Sequence, residues 1–165
     1  MKVLKNIIPY VVIVIAVVLF RIFIATPIQV VGSSMYPTLK SDEILILNKV
    51  SKNKLKRFDI VVIKYNSETI IKRIIGLPGE KIEYIDNVLY VNGEIVDEPF
   101  EHEDTNDFSL SEISSESVPE DSYFVVGDNR GISMDSRIIG FIDKKDILGK
   151  ASLRLFPINK LGIIK

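Results

Sequence analysis

The chain has 165 residues, of which 47% are apolar and 26% charged, and it carries 21 basic and 22 acidic side chains. This length suits one modest domain, and a net charge of -1 argues against a nucleic-acid-binding protein. The absence of cysteine excludes a disulfide framework, a thiol nucleophile and cysteine-ligated metal sites.

The first predicted element is a membrane anchor within residues 1–26. Of these residues 20 are apolar, and Arg21 is the only charged residue between positions 7 and 25. About 19 helical residues rise roughly 29 Å, which matches the hydrocarbon thickness of a bilayer. Lys2 and Lys5 precede the apolar run, so the positive-inside tendency predicts a single-pass protein of the cell membrane with a cytoplasmic N terminus.

This segment has two other possible interpretations. A cleaved secretory signal also has a basic start and an apolar run, but bulky Phe23 stands two residues before Ala25, where a cleavage site has a small side chain. A buried core helix is disfavoured because the run has no polar face. A retained anchor is therefore predicted.

Residues 27–165 are predicted to form an extracytoplasmic β domain, because short β-rich runs alternate with turn signals. Asn92-Gly93 between two such runs indicates a tight hairpin. The fold class expected is mainly β, with antiparallel sheets in a partly closed barrel. The predicted strands are 44–47, 58–65, 69–75, 88–91, 122–126 and 147–156.

Residues 101–121 differ from the rest, since they are acidic, rich in serine and poor in apolar side chains. This composition predicts a surface insertion outside the core. The single histidine, His102, lies at its edge and is expected to be solvated. A lone histidine there argues against a serine–histidine–aspartate enzyme.

Candidate nucleophiles lie in residues 32–39, where Ser33 and Ser34 follow Gly32. A turn of this kind can expose a hydroxyl, but serine needs a nearby base to become nucleophilic. Without a suitable histidine, a neutral lysine is the remaining candidate. The residues alone do not choose between the two serines.

Candidate bases are lysines that emerge from apolar stripes of predicted strands. Lys72 shares a strand face with two isoleucines, and Lys64 passes the same test on the preceding strand. Burial lowers the pKa of a lysine towards the working pH, whereas an arginine such as Arg73 stays protonated. Periodicity leaves Lys64 and Lys72 equally open.

A third constellation is the polar stretch 127–137, directly after a predicted strand. Its density of Asp, Asn, Ser and Arg suits a hydrogen-bonded scaffold. Ser133 could orient an amine there, and Asp135 could pair with Arg137.

Taken together, these segments resemble type I signal peptidases, the membrane-anchored serine–lysine proteases that remove signal peptides, and specifically their Gram-positive, single-anchor form. The resemblance covers nearly the whole chain, with four blocks in family order. The blocks are Gly-Ser-Ser-Met-Tyr-Pro-Thr-Leu at 32–39, Phe-Asp-Ile-Val-Val at 58–62, Ile-Lys-Arg-Ile-Ile-Gly-Leu-Pro-Gly-Glu at 71–80 and Gly-Asp-Asn-Arg at 127–130 with the Ser-x-Asp-Ser-Arg that follows at 133–137.

The resemblance implies roles that the residues alone left open. The serine before methionine, Ser34, would be the nucleophile, and the lysine before arginine, Lys72, would be the base. Ser133 would hydrogen-bond the lysine amine. Three further residues would hold the site together, namely Asp128, Asp135 and Arg137.

One position departs from the Gram-negative pattern. Those relatives place a serine two positions before the nucleophile, where its hydroxyl assists the oxyanion hole, and this chain has Gly32 there. The resemblance therefore implies an oxyanion hole that relies on the Ser34 backbone N–H.

The implied function is cleavage of signal peptides from exported preproteins after small residues, through an acyl-enzyme. No cofactor or metal is expected. The expected partners are preprotein signal peptides and the lipid bilayer, and the protein is expected to be a monomer. Two alternatives remain: a self-cleaving serine–lysine domain like those of SOS-response repressors, and a membrane-tethered peptide-binding domain without activity.

Overall fold

A computed structural model describes residues 2–50 and 54–164, and the side chains of those from residue 7 onward. Helix α1 (Lys2–Phe23) precedes the sheets. Hydrogen bonds fix its C-terminal end: Lys49 Nζ donates to the Ile22 carbonyl and Thr26 Oγ1 to the Arg21 carbonyl, each over 2.8 Å. Among the residues described, no helix combines the length and apolarity that a membrane span requires.

A large antiparallel sheet forms the centre of the domain. Its strand order is β1-β2-β11-β3-β4-β9-β10, and β12 pairs with β11. The strands are β1 (Ala25–Gln29), β2 (Ile44–Asn48), β3 (Ile60–Tyr65), β4 (Glu68–Gly76), β9 (Ser122–Val126), β10 (Ile142–Asp143), β11 (Ile147–Phe156) and β12 (Gly162–Ile163). A one-turn helix, α2 (Ser136–Ile139), lies between β9 and β10.

A smaller antiparallel sheet stands beside the first, in the order β7-β6-β5-β8. It consists of β5 (Ile82–Ile85), β6 (Val88–Val91), β7 (Glu94–Ile95) and β8 (Phe108–Ser109). The predicted hairpin at Asn92-Gly93 joins β6 to β7, and both turn residues have positive φ (54° and 82°).

The mainly β, antiparallel architecture is confirmed, and each of the six predicted strands is present within a few residues of its expected bounds. The predicted partial closure into a barrel is wrong, because within the described residues the large sheet runs from β1 at one end to β10 at the other without pairing between them. Both sheets are open.

Residues 101–121 do not lie wholly outside the core. Phe108, Leu110 and Val118 are buried in an apolar cluster with Tyr84 and Phe124. These apolar residues are spaced too widely along an acidic segment to form a recognisable period. The expectation of a solvated His102 is also wrong, since only 16% of its side chain is exposed.

The two faces of the central strands are both buried. In β3, residues 60–63 have relative exposures of at most 3%. Ile60 and Val62 pack in a cluster with Met35 and Leu39, whereas Val61 and Ile63 pack on the other face. A continuous apolar run is what a strand buried on both faces requires.

Candidate active site

The turn that carries the candidate nucleophile is anchored by its neighbours. The N–H of Tyr36 donates to the Ser33 carbonyl over 3.0 Å, and that of Leu39 to the Met35 carbonyl over 2.8 Å. Met35 and Leu39 are buried in the core, while Ser34 is half-buried. Gly32 has a φ of +85° and open space where a Cβ would lie, so the chain turns into the site without a side chain there.

Lys72 lies in the middle of β4 and is 3% exposed. Burial is the main cause that lowers the pKa of its amine, from 10.5 to about 8; nearby Asp135 and Asp128 oppose this and Arg137 adds to it. An amine with such a pKa is largely neutral at mildly alkaline pH, as a general base must be.

Register separates Lys72 from Lys64, the other candidate base. In the antiparallel pair β3–β4, Lys72 lies opposite Val61 and Lys64 opposite Thr69. Because side chains alternate between faces, the two lysines project to opposite sides of the sheet. Lys64 is exposed, whereas Lys72 is buried.

Ser133 and Asp135 lie beside the Lys72 amine. Lys72 Nζ donates to Ser133 Oγ over 3.1 Å. Burial opposes the ionised form of Asp135, but the side chain and charge of Arg137, the Gly127 N–H and the Ser133 hydroxyl hold the pKa of this carboxyl below its usual range. A serine hydroxyl has two acceptor lone pairs, so Ser133 is suited to accept from the amine.

Arg137 reinforces this arrangement. Its Nε and Nη2 each donate to Asp135 over 2.9 Å, and Nη2 also donates to the Arg130 carbonyl over 2.8 Å. The predicted pairing of Asp135 with Arg137 is therefore confirmed. Asp135 also caps α2 by accepting from the Arg137 backbone N–H.

Asp128 occupies the other face of β4, where it binds Arg73. The guanidinium Nε and Nη2 donate to the two Asp128 oxygens over 2.9 and 2.7 Å, and both side chains are 0% exposed. Arg73 also donates to the Phe58 carbonyl and to Thr38 Oγ1, and its guanidinium lies 3.7 Å from the centroid of the Phe100 ring. A buried bidentate pair of this kind fixes geometry as well as charge.

Two residues of the loop after β9 lie directly against the turn that carries the candidate nucleophile, and the roles predicted from the sequence do not include them. Asn129 donates its backbone N–H to the Ser34 carbonyl and its Nδ2 to the Ser33 carbonyl, both over 3.1 Å. A Cβ on Gly127 would collide with the Ser34 carbonyl and the Ser133 side chain. In the sequence, the Gly-Asp-Asn motif directly after a predicted strand indicates this loop, but the motif does not show which segment the loop contacts.

A second buried cluster holds the same loop from its outer side. Arg130 pairs with Glu98 over 2.7 Å and donates to Tyr84 and Thr105 over 3.0 and 2.7 Å. His102 Nε2 lies 3.4 Å from the same Glu98 carboxylate. His102 is thus a packing partner of this cluster.

Ser34 and Lys72 line one groove of about 510 Å³. A smaller cavity of about 160 Å³ adjoins it and shares both residues. The two side chains make no hydrogen bond to each other in this state. The groove is otherwise mostly apolar, with Val31, Ile70, Ile132, Met134 and Ile139 among its lining residues.

The backbone edge of β4 is free along this groove. β3 pairs with β4 over Glu68 to Arg73, whereas β9 pairs with it only from Arg73 onward. Residues 68–72 therefore lack a β9 partner on one side, and an extended peptide can add there as a strand. No group of three His, Cys, Asp or Glu side chains in the described part of the chain is arranged to hold a metal ion.

Comparisons with known proteins agree on one family. The family model described as "Signal peptidase, peptidase S26" matches residues 3–156. Signal peptidase I of Bacillus caldolyticus is 41% identical, covering 93% of this chain and 92% of its own length. Signal peptidase IB of Staphylococcus aureus (strain COL) is 38% identical, covering 87% and 85%. A crystal structure of a signal peptidase I from Enterococcus faecalis V583 has a TM-score of 0.55 at 40% identity, covering 59% of this chain and 96% of that one.

Proposed function

Because the chain belongs to the signal peptidase family, peptidase S26, and is a serine endopeptidase that cleaves signal peptides, we propose that Ser34 is its nucleophile and Lys72 its general base. The observation that carries this proposal is the Lys72 amine, which is buried, has a pKa of about 8, and lines the same groove as Ser34. Ser33 is exposed and Lys64 faces the other side of the sheet, so neither offers this combination.

In the first step, neutral Lys72 takes the Ser34 hydroxyl proton while the oxygen attacks the scissile carbonyl. A neutral amine has two N–H groups and one lone pair. The hydrogen bond to Ser133 uses one N–H, which leaves the lone pair free to accept the proton. The resulting Lys72 ammonium then protonates the leaving amine, and the peptide bond breaks to give an acyl-enzyme.

In the second step, water hydrolyses the ester. Lys72, neutral again, removes a proton from the water, and the Ser34 oxygen leaves as its hydroxyl. The negative oxygen formed in both steps needs a donor. We assign the Ser34 backbone N–H to this role, since no side chain at Gly32 can supply one.

Four residues are proposed to support this chemistry without touching the scissile bond. Ser133 and Asp135 would set the direction of the Lys72 amine, and Arg137 would keep Asp135 ionised. Asp128, through its buried pair with Arg73, would hold the loop that carries Ser133 against β4.

The proposed substrate is the extended end of a signal peptide, bound along the free edge of β4. Apolar walls and two adjoining cavities suit small apolar side chains before the cut, as the family resemblance implies. We further propose that the enzyme acts as a monomer and that no cofactor takes part.

Residues 1–26 are proposed to anchor the chain in the cell membrane as a single pass, with the catalytic residues 27–165 on the outer side. The support is the run of exposed apolar side chains on α1 from Ile7 to Phe23. Ser34 follows Thr26 by eight residues, at most about 26–29 Å of extended chain, so the nucleophile would stay near the outer membrane face. Digestion of sealed, right-side-out vesicles tests this orientation. Protease added outside should digest the catalytic domain, and protection of that domain would refute the proposal.

The proposed dyad is tested by incubating the full chain with a preprotein. Ser34→Ala and Lys72→Ala should each abolish release of the signal peptide, because each removes a reacting group. Lys64→Ala is the matched control and should retain release; Ser33→Ala should retain it as well, since the nucleophilic hydroxyl remains. Unchanged release in either dyad variant would overturn the assignment.

A further inference from the structure

One charged side chain in the groove has no part in the proposed chemistry. Among the described residues that line the groove, Glu68 and Lys72 alone carry ionisable charge. Lys72 is buried, whereas Glu68 is exposed at the start of β4. Glu68 also lines the smaller adjoining cavity. A bound peptide would therefore meet one accessible charge in the groove, and that charge is negative.

The Glu68 carboxylate is not neutralised by a neighbour. It has no ion-pair or hydrogen-bond partner among residues 7–50 and 54–164. The lysine closest in register, Lys64, lies opposite Thr69 and so projects from the other face of the sheet. The residue opposite Glu68 itself is Tyr65, whose side chain is not basic.

The position of Glu68 relative to the reacting groups follows from strand geometry. Glu68, Ile70 and Lys72 lie on one face of β4, because alternate residues of a strand do. Glu68 stands four positions before Lys72 along β4, a distance of about 13 Å at 3.3 Å per residue. Residues 68–72 lie on the free edge where the peptide is proposed to add.

We infer that Glu68 is a specificity residue, which favours substrates with a lysine or arginine about four residues from the cleaved bond. This basic residue would lie on the part of the peptide that runs beside the start of β4. This inference rests on the proposed function. A peptide strand has the same rise as β4, so a side chain four positions from the bond reaches the level of Glu68. The attraction is between exposed charges, so it falls with ionic strength.

The test uses internally quenched signal-type peptides cleaved by the full chain in detergent. Lysine, glutamine or glutamate is placed in turn at the third to sixth position from the cleaved bond, on either side of it. For two exposed charges a few ångströms apart, the lysine peptide should have a kcat/KM about three- to tenfold above the glutamine peptide at one such position, and the glutamate peptide should be poorer. In 0.5 M salt the preference should shrink.

Variants identify the source of the preference. In Glu68→Gln the ratio between the lysine and glutamine peptides should fall to about one, and in Glu68→Lys the glutamate peptide should become the better substrate. Glu94→Gln is the matched control, because it removes an equal exposed charge from β7, outside the residues that line the groove, and should keep the wild-type ratio.

Two results would overturn the inference while leaving the proposed function intact: equal cleavage of the lysine and glutamine peptides at every position, or a lysine preference that survives in Glu68→Gln. Failure of the wild-type chain to cleave any of the peptides in a Ser34-dependent manner would overturn the proposed function as well.

Discussion

Arg137→Gln should move the pH dependence of peptide cleavage to higher pH. The Arg137 charge lowers the pKa of Lys72, and its hydrogen bonds hold the Asp135 carboxylate in place. Without the guanidinium, the Asp135 charge acts on the Lys72 ammonium unopposed. The ammonium becomes harder to deprotonate, and less of the enzyme carries a neutral base at a given pH.

The wild-type curve has a calculable shape. With a pKa of about 8, the amine is about one-tenth neutral at pH 7 and about nine-tenths neutral at pH 9, so kcat/KM should rise about tenfold between them. A lysine at its ordinary pKa of 10.5 would give a rise of about a hundredfold over the same range. Arg137→Gln should lower the rate at pH 7 by a further factor of about three to ten.

The assay measures kcat/KM for a quenched signal peptide from pH 6 to pH 10 at constant ionic strength, with recovery at pH 8 checked after each incubation. Asp135→Asn supplies the opposite perturbation, because removing the carboxylate removes a charge that raises the pKa of Lys72. Its curve should move to lower pH. Lys64→Ala should leave the curve in place. Shifts of the two charge variants in the same direction, or a wild-type curve that still rises steeply at pH 10, would refute the reasoning.

Two further substitutions test the packing around the site. Gly127→Ala should reduce cleavage by about a hundredfold or more, because its methyl group would displace the Ser34 carbonyl. Gly131→Ala is the control and should retain activity, since its Cβ would meet the Glu103 side chain at 3.6 Å. Equal cleavage rates for the two variants would contradict this prediction. Asp128→Ala should lower the free energy of unfolding by about 3–5 kcal/mol, because it leaves the buried Arg73 charge uncompensated. Urea denaturation of the full chain in detergent measures it, and the double variant that also replaces Arg73 by Met should recover part of the loss.

Strand periodicity predicted six of the strands, namely β2, β3, β4, β6, β9 and β11, because their apolar residues are consecutive or alternate. It did not reveal β1, which begins at Ala25 directly after the helix and is set by pairing with β2. Nor did it reveal the core residues Phe108, Leu110 and Val118, which stand apart among acidic neighbours. The position of these residues depends on pairing and packing between segments that are distant in sequence, and a local sequence pattern does not show such contacts.

The candidate base shows the same limit at the scale of one side chain. Lys64 and Lys72 each lie in an apolar stripe, and the sequence shows which residues share a stripe but not how far that strand face is buried. Burial depends on which elements pack against each strand. Lys72 lies in mid-strand beside Ser133 and Asp135, while Lys64 is one residue from the end of β3 and is exposed. Sheet order therefore decides which amine is desolvated.

Two adjacent residues of β4 connect the candidate site with the buried ion pair. Lys72 projects towards the groove, and Arg73 projects to the opposite face, where Asp128 binds it. Asp128 stands at the start of the same loop that delivers Ser133 and Asp135 to the Lys72 amine. We propose that the buried ion pair on one face fixes the distance between strand and loop on the other. A neutral lysine needs such a support. Once the Lys72 amine has lost its proton, its hydrogen bond to Ser133 is no longer charge-assisted and holds the loop less strongly.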